Sequence, residues 1–141
     1  MGCEDFQVML KSRIVKKVSE VRQFLAKHPN IAMLGDLTYE YSDGEHVVEF
    51  ELRASEKLEL SIRFALCNPA SVDSVFIALV EEISDRFDLN VQVMDVVRGD
   101  EGVQQIGGCI SFKRELWQKD FGLETAALGC DEALERYVLS S

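Results

Sequence analysis

The sequence predicts an α+β fold: an antiparallel sheet in the element order α-β-β-β-α-β-β-α, with the helices packed on one face. Three observations predict it. Apolar residues recur at helical spacing near the start of the chain. Residues 37–66 then alternate apolar and polar at period two. After Pro69 the helical period returns and is followed by a second alternating stretch. At 141 residues the chain has the length of one domain with a sizeable core. Residues 1–141 are therefore read as a single α+β domain.

The first helix is read from Phe6, Leu10, Ile14, Val18, Val21 and Leu25, which recur at spacings of four and three. His28-Pro29-Asn30 ends it, because proline cannot continue the hydrogen-bond ladder. A meander of three strands follows. Leu37, Tyr39 and Tyr41 form the first apolar row. Asp43-Gly44 is a two-residue hairpin signal, which pairs Tyr41 with His46, Tyr39 with Val48 and Leu37 with Phe50. A three-residue loop at Ala54-Ser55-Glu56 then pairs Leu52 with Leu58 and Phe50 with Leu60. Ser71 has the chemistry of an N-cap. Val72, Phe76, Leu79, Val80, Ile83 and Phe87 continue as the stripe of a second helix to about Asp88. Val91, Val93 and Val97 give another strand, and Cys109 to Phe112 a further one after a bulge or kink at Gly107-Gly108. Lys113 to Phe121 fits strand or helix. Leu123 to Leu139 reads as a last helix, weakened by Gly129.

Composition excludes several classes of function. The apolar fraction is 47% and the net charge −10. That is too apolar for a disordered acidic tail and too acidic for general phosphate binding. No run of 18 apolar residues exists and the start lacks a basic-then-apolar signal region, so a cytoplasmic location without membrane insertion is expected. The four cysteines are separated by 64, 42 and 21 residues. No metal-binding or redox spacing results, so scattered reduced thiols are expected and no cofactor or metal is implied. No phosphate-cradling glycine loop or hydrolase elbow is present. His28 reads as a helix-end dipole partner. His46 reads as a sheet-edge residue, because the sequence places no nucleophile beside it. Arg98-Gly99-Asp100 reads as a coincidental tripeptide. No catalytic residue is assigned, and an enzyme is the lesser expectation.

Charge divides unevenly. Residues 1–30 carry +3 and residues 31–141 carry −13. The outward row of the meander gathers Glu40, Glu49, Glu51 and Glu59, with Glu51 directly facing Glu59 in the register above. Either Arg53, Lys57 and Arg63 neutralise this row locally, or it awaits a basic protein partner. Val75, Ile77, Val80, Met94 and Val96 exceed what one buried stripe requires, and mark a candidate homodimer interface.

The order helix, three strands, helix, two strands, helix in a small acidic chain resembles the class I chaperones of type III secretion. The resemblance spans Phe6 to Leu139 and rests on element order, size and acidity. It carries no residue motif, and the stretch Gly99 to Gly108 and the segment Lys113 to Phe121 depart from that family's short final hairpin. It implies an α+β homodimer that binds an extended segment of another protein. The leading expectation is a non-enzymatic protein-binding module: a chaperone, adaptor or regulatory subunit. Two alternatives stand beside it. One is a small-ligand-binding protein or enzyme with its pocket between sheet and helices. The other is an immunity or inhibitor protein that masks a basic toxin.

Overall fold

The computed structural model describes residues 5–12, 17–54, 57–94 and 106–121. Their elements are, in order, β1 (Asp5–Ser12), α1 (Lys17–Lys27), β2 (Ile31–Met33), β3 (Thr38–Ser42), β4 (Val47–Ala54), β5 (Leu58–Ala65), α2 (Val72–Phe87), β6 (Asn90–Val93) and α3 (Ile106–Phe121). The strands form one sheet in the order β2-β3-β4-β5-β1-β6, and every neighbouring pair is antiparallel. The α+β class and the antiparallel sheet are as the sequence predicts. The element order is not.

The first correction lies at the start of the chain, where a strand replaces the first half of the expected helix. A spacing of four residues suits both a strand, as two periods of two, and a helix, as about one turn of 3.6. Phe6 and Leu10 therefore fit either. Val8, midway between them, decides, because only a strand puts all three on one face. All three are fully buried, and Met9 on the opposite face is 9% exposed. The apolar run Val8-Met9-Leu10 is that of an inner strand, closed in by β5 on one side and β6 on the other. The helical stripe survives from Val18 through Val21 to Leu25, and the chain leaves α1 before Pro29 as expected.

The three strands of the meander form where expected, but both hairpins are displaced by two residues. Tyr41 faces Val48 and Tyr39 faces Phe50. Leu52 faces Leu60 and Ala54 faces Leu58. At the first hairpin the cause is Asp43. Its Oδ1 accepts the backbone N–H groups of Glu45 (2.9 Å) and His46 (2.7 Å), so the turn spans Asp43 to His46 rather than two residues. Gly44 sits in it at φ 89°, a conformation that suits glycine. A displacement of two leaves every side chain on its face. The buried row is therefore as read, except that Leu37 falls outside β3 and is exposed.

Helix α2 matches its reading in extent and stripe. It ends on Asp88 at φ 52°, with Ser84 O accepting the Asp88 and Leu89 N–H groups. Beyond it, one strand stands where two are expected. Gly107-Gly108, Cys109 to Phe112 and Lys113 to Phe121 all belong to α3. Ile106, Cys109, Ile110 and Arg114 recur at helical spacing and are buried. The glycines fall in the first turn, where N–H groups lack intrahelical partners in any case. The segment with Val97, the Arg98-Gly99-Asp100 tripeptide and the helix read over Leu123 to Leu139 lies outside the described residues.

One core joins the buried face of the sheet to the helices. Phe76 of α2 meets both Phe64 (4.7 Å between ring centroids) and Phe6 (5.8 Å) edge-to-face. Phe24 of α1 meets Phe87 of α2 edge-on at 5.9 Å. Phe6, Phe50, Phe64 and Phe76, each at most 1% exposed, fill the interior where α2 crosses the middle of the sheet. Cys67 and Cys109 are buried free thiols, and Cys3 and Cys130 lie outside the described residues. No described helix is long and apolar enough to cross a membrane.

Candidate functional site

The most organised polar cluster lies where the β3–β4 hairpin meets the start of α2. His46 is 7% exposed, so it is not an edge residue open to solvent. Its Nδ1 stands 2.9 Å from Asp43 Oδ2, and its Nε2 stands 2.6 Å from Ser71 Oγ. An ionised carboxylate can only accept, so in the neutral ring Nδ1–H faces Asp43 and Nε2 accepts the Ser71 hydroxyl proton. Ser71 therefore does not cap α2 through its side chain; its hydroxyl bonds to His46 instead.

Both ends of this chain are fixed to backbone. Asp43 accepts two N–H groups through Oδ1, while the Tyr41 hydroxyl donates to Oδ2 at 3.2 Å. The His46 ring and the two backbone donors hold the Asp43 carboxyl far below the usual carboxylate range. Burial, and then the Asp43 charge, push the Tyr41 hydroxyl up. On the other side, buried Asn68 accepts the Val47 N–H at 2.8 Å and donates to Ala65 O at 2.8 Å. It ties the turn that carries Ser71 to the start of β4. The cluster thus contains a hydroxyl, a base and an oriented carboxylate in hydrogen-bond sequence. Glu45, an exposed residue, brings a further carboxylate to 4.0 Å from His46 Nε2.

The carboxylates singled out from sequence do share the outward row of the meander, but the register gives them different partners. Glu51 faces Ser61, not Glu59, and Glu59 faces Arg53. Glu49 lies opposite Arg63, which bonds it at 2.7 Å and also reaches Asp5 at 3.7 Å. That bond with Glu49 raises the Arg63 guanidinium above its ordinary value. Arg53 bonds Glu51 at 3.1 Å, and Lys57 stands 3.8 Å from Glu59. Glu40 lies directly opposite Glu49. The row is thus largely paired within itself.

The residues proposed for self-association do not form one exposed patch. Val80 is in the core, and Val75 and Ile77 pack partly buried against it. A Cβ on Gly107 would lie 3.7 Å from Ile77 Cδ1, so α3 supplies part of the cover that Ile77 needs. Met94 is 47% exposed, and Val96 lies outside the described residues.

Exposed apolar side chains gather instead at the sheet edge. Met33 and Leu34 are each 61% exposed, and Leu37 joins them in the β2–β3 turn. β2 stands at the end of the strand order. Asn30 and Leu34 bond to β3 through Ser42 N–H and Thr38 O. By the antiparallel alternation, the N–H and C=O of Met33 point away from β3, to a side where no strand among the described residues pairs.

On the helix side, a trough of about 600 Å³ runs between β3 and α2, lined by Tyr41, Ser74, Val75, Ala78, Leu79 and Glu82 among others. His28, whose Nδ1 accepts the Asn30 N–H at 3.1 Å, separates it from a second depression beside Phe24 and Arg86. Among the described residues no three His, Cys, Asp or Glu side chains are placed to share a metal ion.

Sequence reasoning missed Ser71 and Asp43 as partners of His46. Asp43 is three residues away, so the local turn chemistry was a usable signal. Ser71 is 25 residues away, and nothing short of the fold brings it there. Compared with family models, curated proteins and solved structures, the chain matches none.

Proposed function

We propose that the chain is a protein-binding module that takes an extended segment of a partner protein as an added strand on β2. The observation that carries this reading is the edge at Met33, which no strand among the described residues covers, beside the exposed side chains of Met33, Leu34 and Leu37. Strand addition draws affinity from main-chain hydrogen bonds and specificity from alternate side chains. An open edge with exposed apolar residues is a feature that folded chains otherwise blunt with charge or proline. The net charge of −10 favours a segment whose apolar residues are flanked by Lys or Arg, since opposite charge speeds encounter. The outward row of the meander contributes less to recognition than its acidity suggests, because Arg53, Lys57 and Arg63 pair its carboxylates.

The test is selection from a displayed library of random peptides on the folded protein, followed by affinity measurement. The expected winners alternate apolar residues and carry basic flanks. Met33→Pro removes an outward N–H while leaving the β2–β3 ladder intact, and weakens them more than tenfold with an unchanged circular dichroism spectrum. Winners that bind Met33→Pro and Leu34→Asp as tightly as the parent overturn the reading. So does a dimer in sedimentation that Met33→Pro dissociates, since a second copy would then occupy the edge.

A further inference from the structure

We propose that Ser71 is an activated nucleophile that takes a medium-length acyl group from an activated ester, with His46 as its base and Asp43 as the positioning residue. A serine hydroxyl is a weak nucleophile until a neighbouring base removes its proton as it attacks. Here that base is in place: Ser71 Oγ lies 2.6 Å from His46 Nε2, and Asp43 Oδ2 at 2.9 Å holds the other ring nitrogen. The three groups come from a hairpin turn and the residue before a helix, both clamped by backbone hydrogen bonds. Such anchoring holds a reacting pair in register without a moving loop. Ser71 itself is exposed, so the nucleophile is open to an incoming ester while its base is shielded.

The reaction balances without any added cofactor. Ser71 Oγ bonds to the carbonyl carbon as its proton passes to His46 Nε2. The carbon–oxygen bond to the leaving group breaks, and that oxygen takes the proton from His46. Water then attacks the acyl-Ser71 carbon and gives a proton to His46. Ser71 Oγ leaves, recovers that proton, and a carboxylic acid is released.

Two features select the substrate. The amides of Val72 and Asp73, the first of α2, already bond Pro69 O and Ala70 O. The positive end of the helix is near the developing oxyanion, but these two N–H groups are not free to aim at it. One such donor is commonly worth a factor of about 10² to 10³ in rate, so the reaction needs a good leaving group. Ser74, one helical turn from Ser71, lines the trough between β3 and α2, together with apolar Val75, Ala78 and Leu79 and polar Asn30 and Glu82. Its apolar strip of Val75, Ala78 and Leu79 offers an octanoyl chain contact that acetyl is too short to make, so octanoyl is preferred to acetyl.

The probes are p-nitrophenyl octanoate and p-nitrophenyl acetate with the full chain. The expected result is a stoichiometric burst of nitrophenol, faster with octanoate. Intact mass should show one octanoyl group, mapped to Ser71 by peptide sequencing. His46→Gln slows the burst by about 10²-fold or more. Asp43→Asn lowers the burst rate constant while leaving the half-saturating octanoate concentration unchanged, which loss of structure alone would not do. Ser71→Cys keeps a nucleophile at the same place and is acylated. Acyl groups found on lysines but not on Ser71 of the parent chain overturn the proposal. Labelling of Ser71 at the same rate in His46→Gln does so too, and both are independent of the β2 edge.

Discussion

His46 Nε2 and Ser71 Oγ lie 2.6 Å apart, and this contact fastens the β3–β4 hairpin to the start of α2. It makes the turn at Asp43 a part of the tertiary structure rather than a solvent-facing link between strands. The consequences extend to the behaviour of the whole chain in acid.

Asp43 predicts a pH dependence. Its carboxyl is held far below the usual range by the His46 ring and two backbone donors, so the folded state favours the ionised form. A depressed folded value adds stability above the unfolded value of about 3.9. That stability is lost as pH falls from there through the folded value. Urea denaturation of parent and Asp43→Asn should therefore show the widest gap near pH 7 and a narrowing gap below about pH 4. A gap of constant size from pH 7 to pH 2 would contradict the assignment.

Phe76 predicts the sensitivity of the core. Its ring contacts Phe6 of β1 and Phe64 of β5, so truncation opens a cavity between α2 and the middle of the sheet. Phe76→Ala should lose about 3–5 kcal/mol, read by denaturant midpoint at constant slope. Val75→Ala, on a partly buried neighbour, should lose less.

Arg114 predicts how α3 is held. Its guanidinium bonds Asp73 in the first turn of α2, and burial pushes the Asp73 carboxyl up against the opposing pull of Arg114. Removing one partner leaves a half-buried charge alone. Arg114→Met should lose about 2 kcal/mol, and the further change Asp73→Asn should recover part of it. A double mutant as unstable as the sum of the singles would show that the pair is not coupled.

The meander carboxylates predict a small effect. Glu49, Glu51 and Glu59 pair with Arg63, Arg53 and Lys57 on an exposed face, where such pairs contribute little in water. Replacing all three by Gln should change stability by less than about 1 kcal/mol. Affinity for peptides selected on the β2 edge should stay within about threefold, because steering by charge acts mainly on association rate.

Local sequence determined the elements whose partners are near in the chain. The meander, the extent of α2 and the stop at Pro29 follow from period, turn chemistry and the missing proline donor. A two-residue slip in register was invisible, because it leaves every side chain on its face. The strand at Phe6 was concealed for a related reason, since a spacing of four residues belongs to both periods. What makes Asp5–Ser12 a strand is its place between β5 and β6, two partners supplied by segments far along the chain. The cluster divides in the same way. Asp43 and His46 are held together by a turn that their own sequence encodes. Ser71 reaches them only because β5 and α2 fold back over the hairpin. A hydrogen bond needs proximity to within about 3 Å, and for residues 25 positions apart that proximity is a property of the tertiary structure alone.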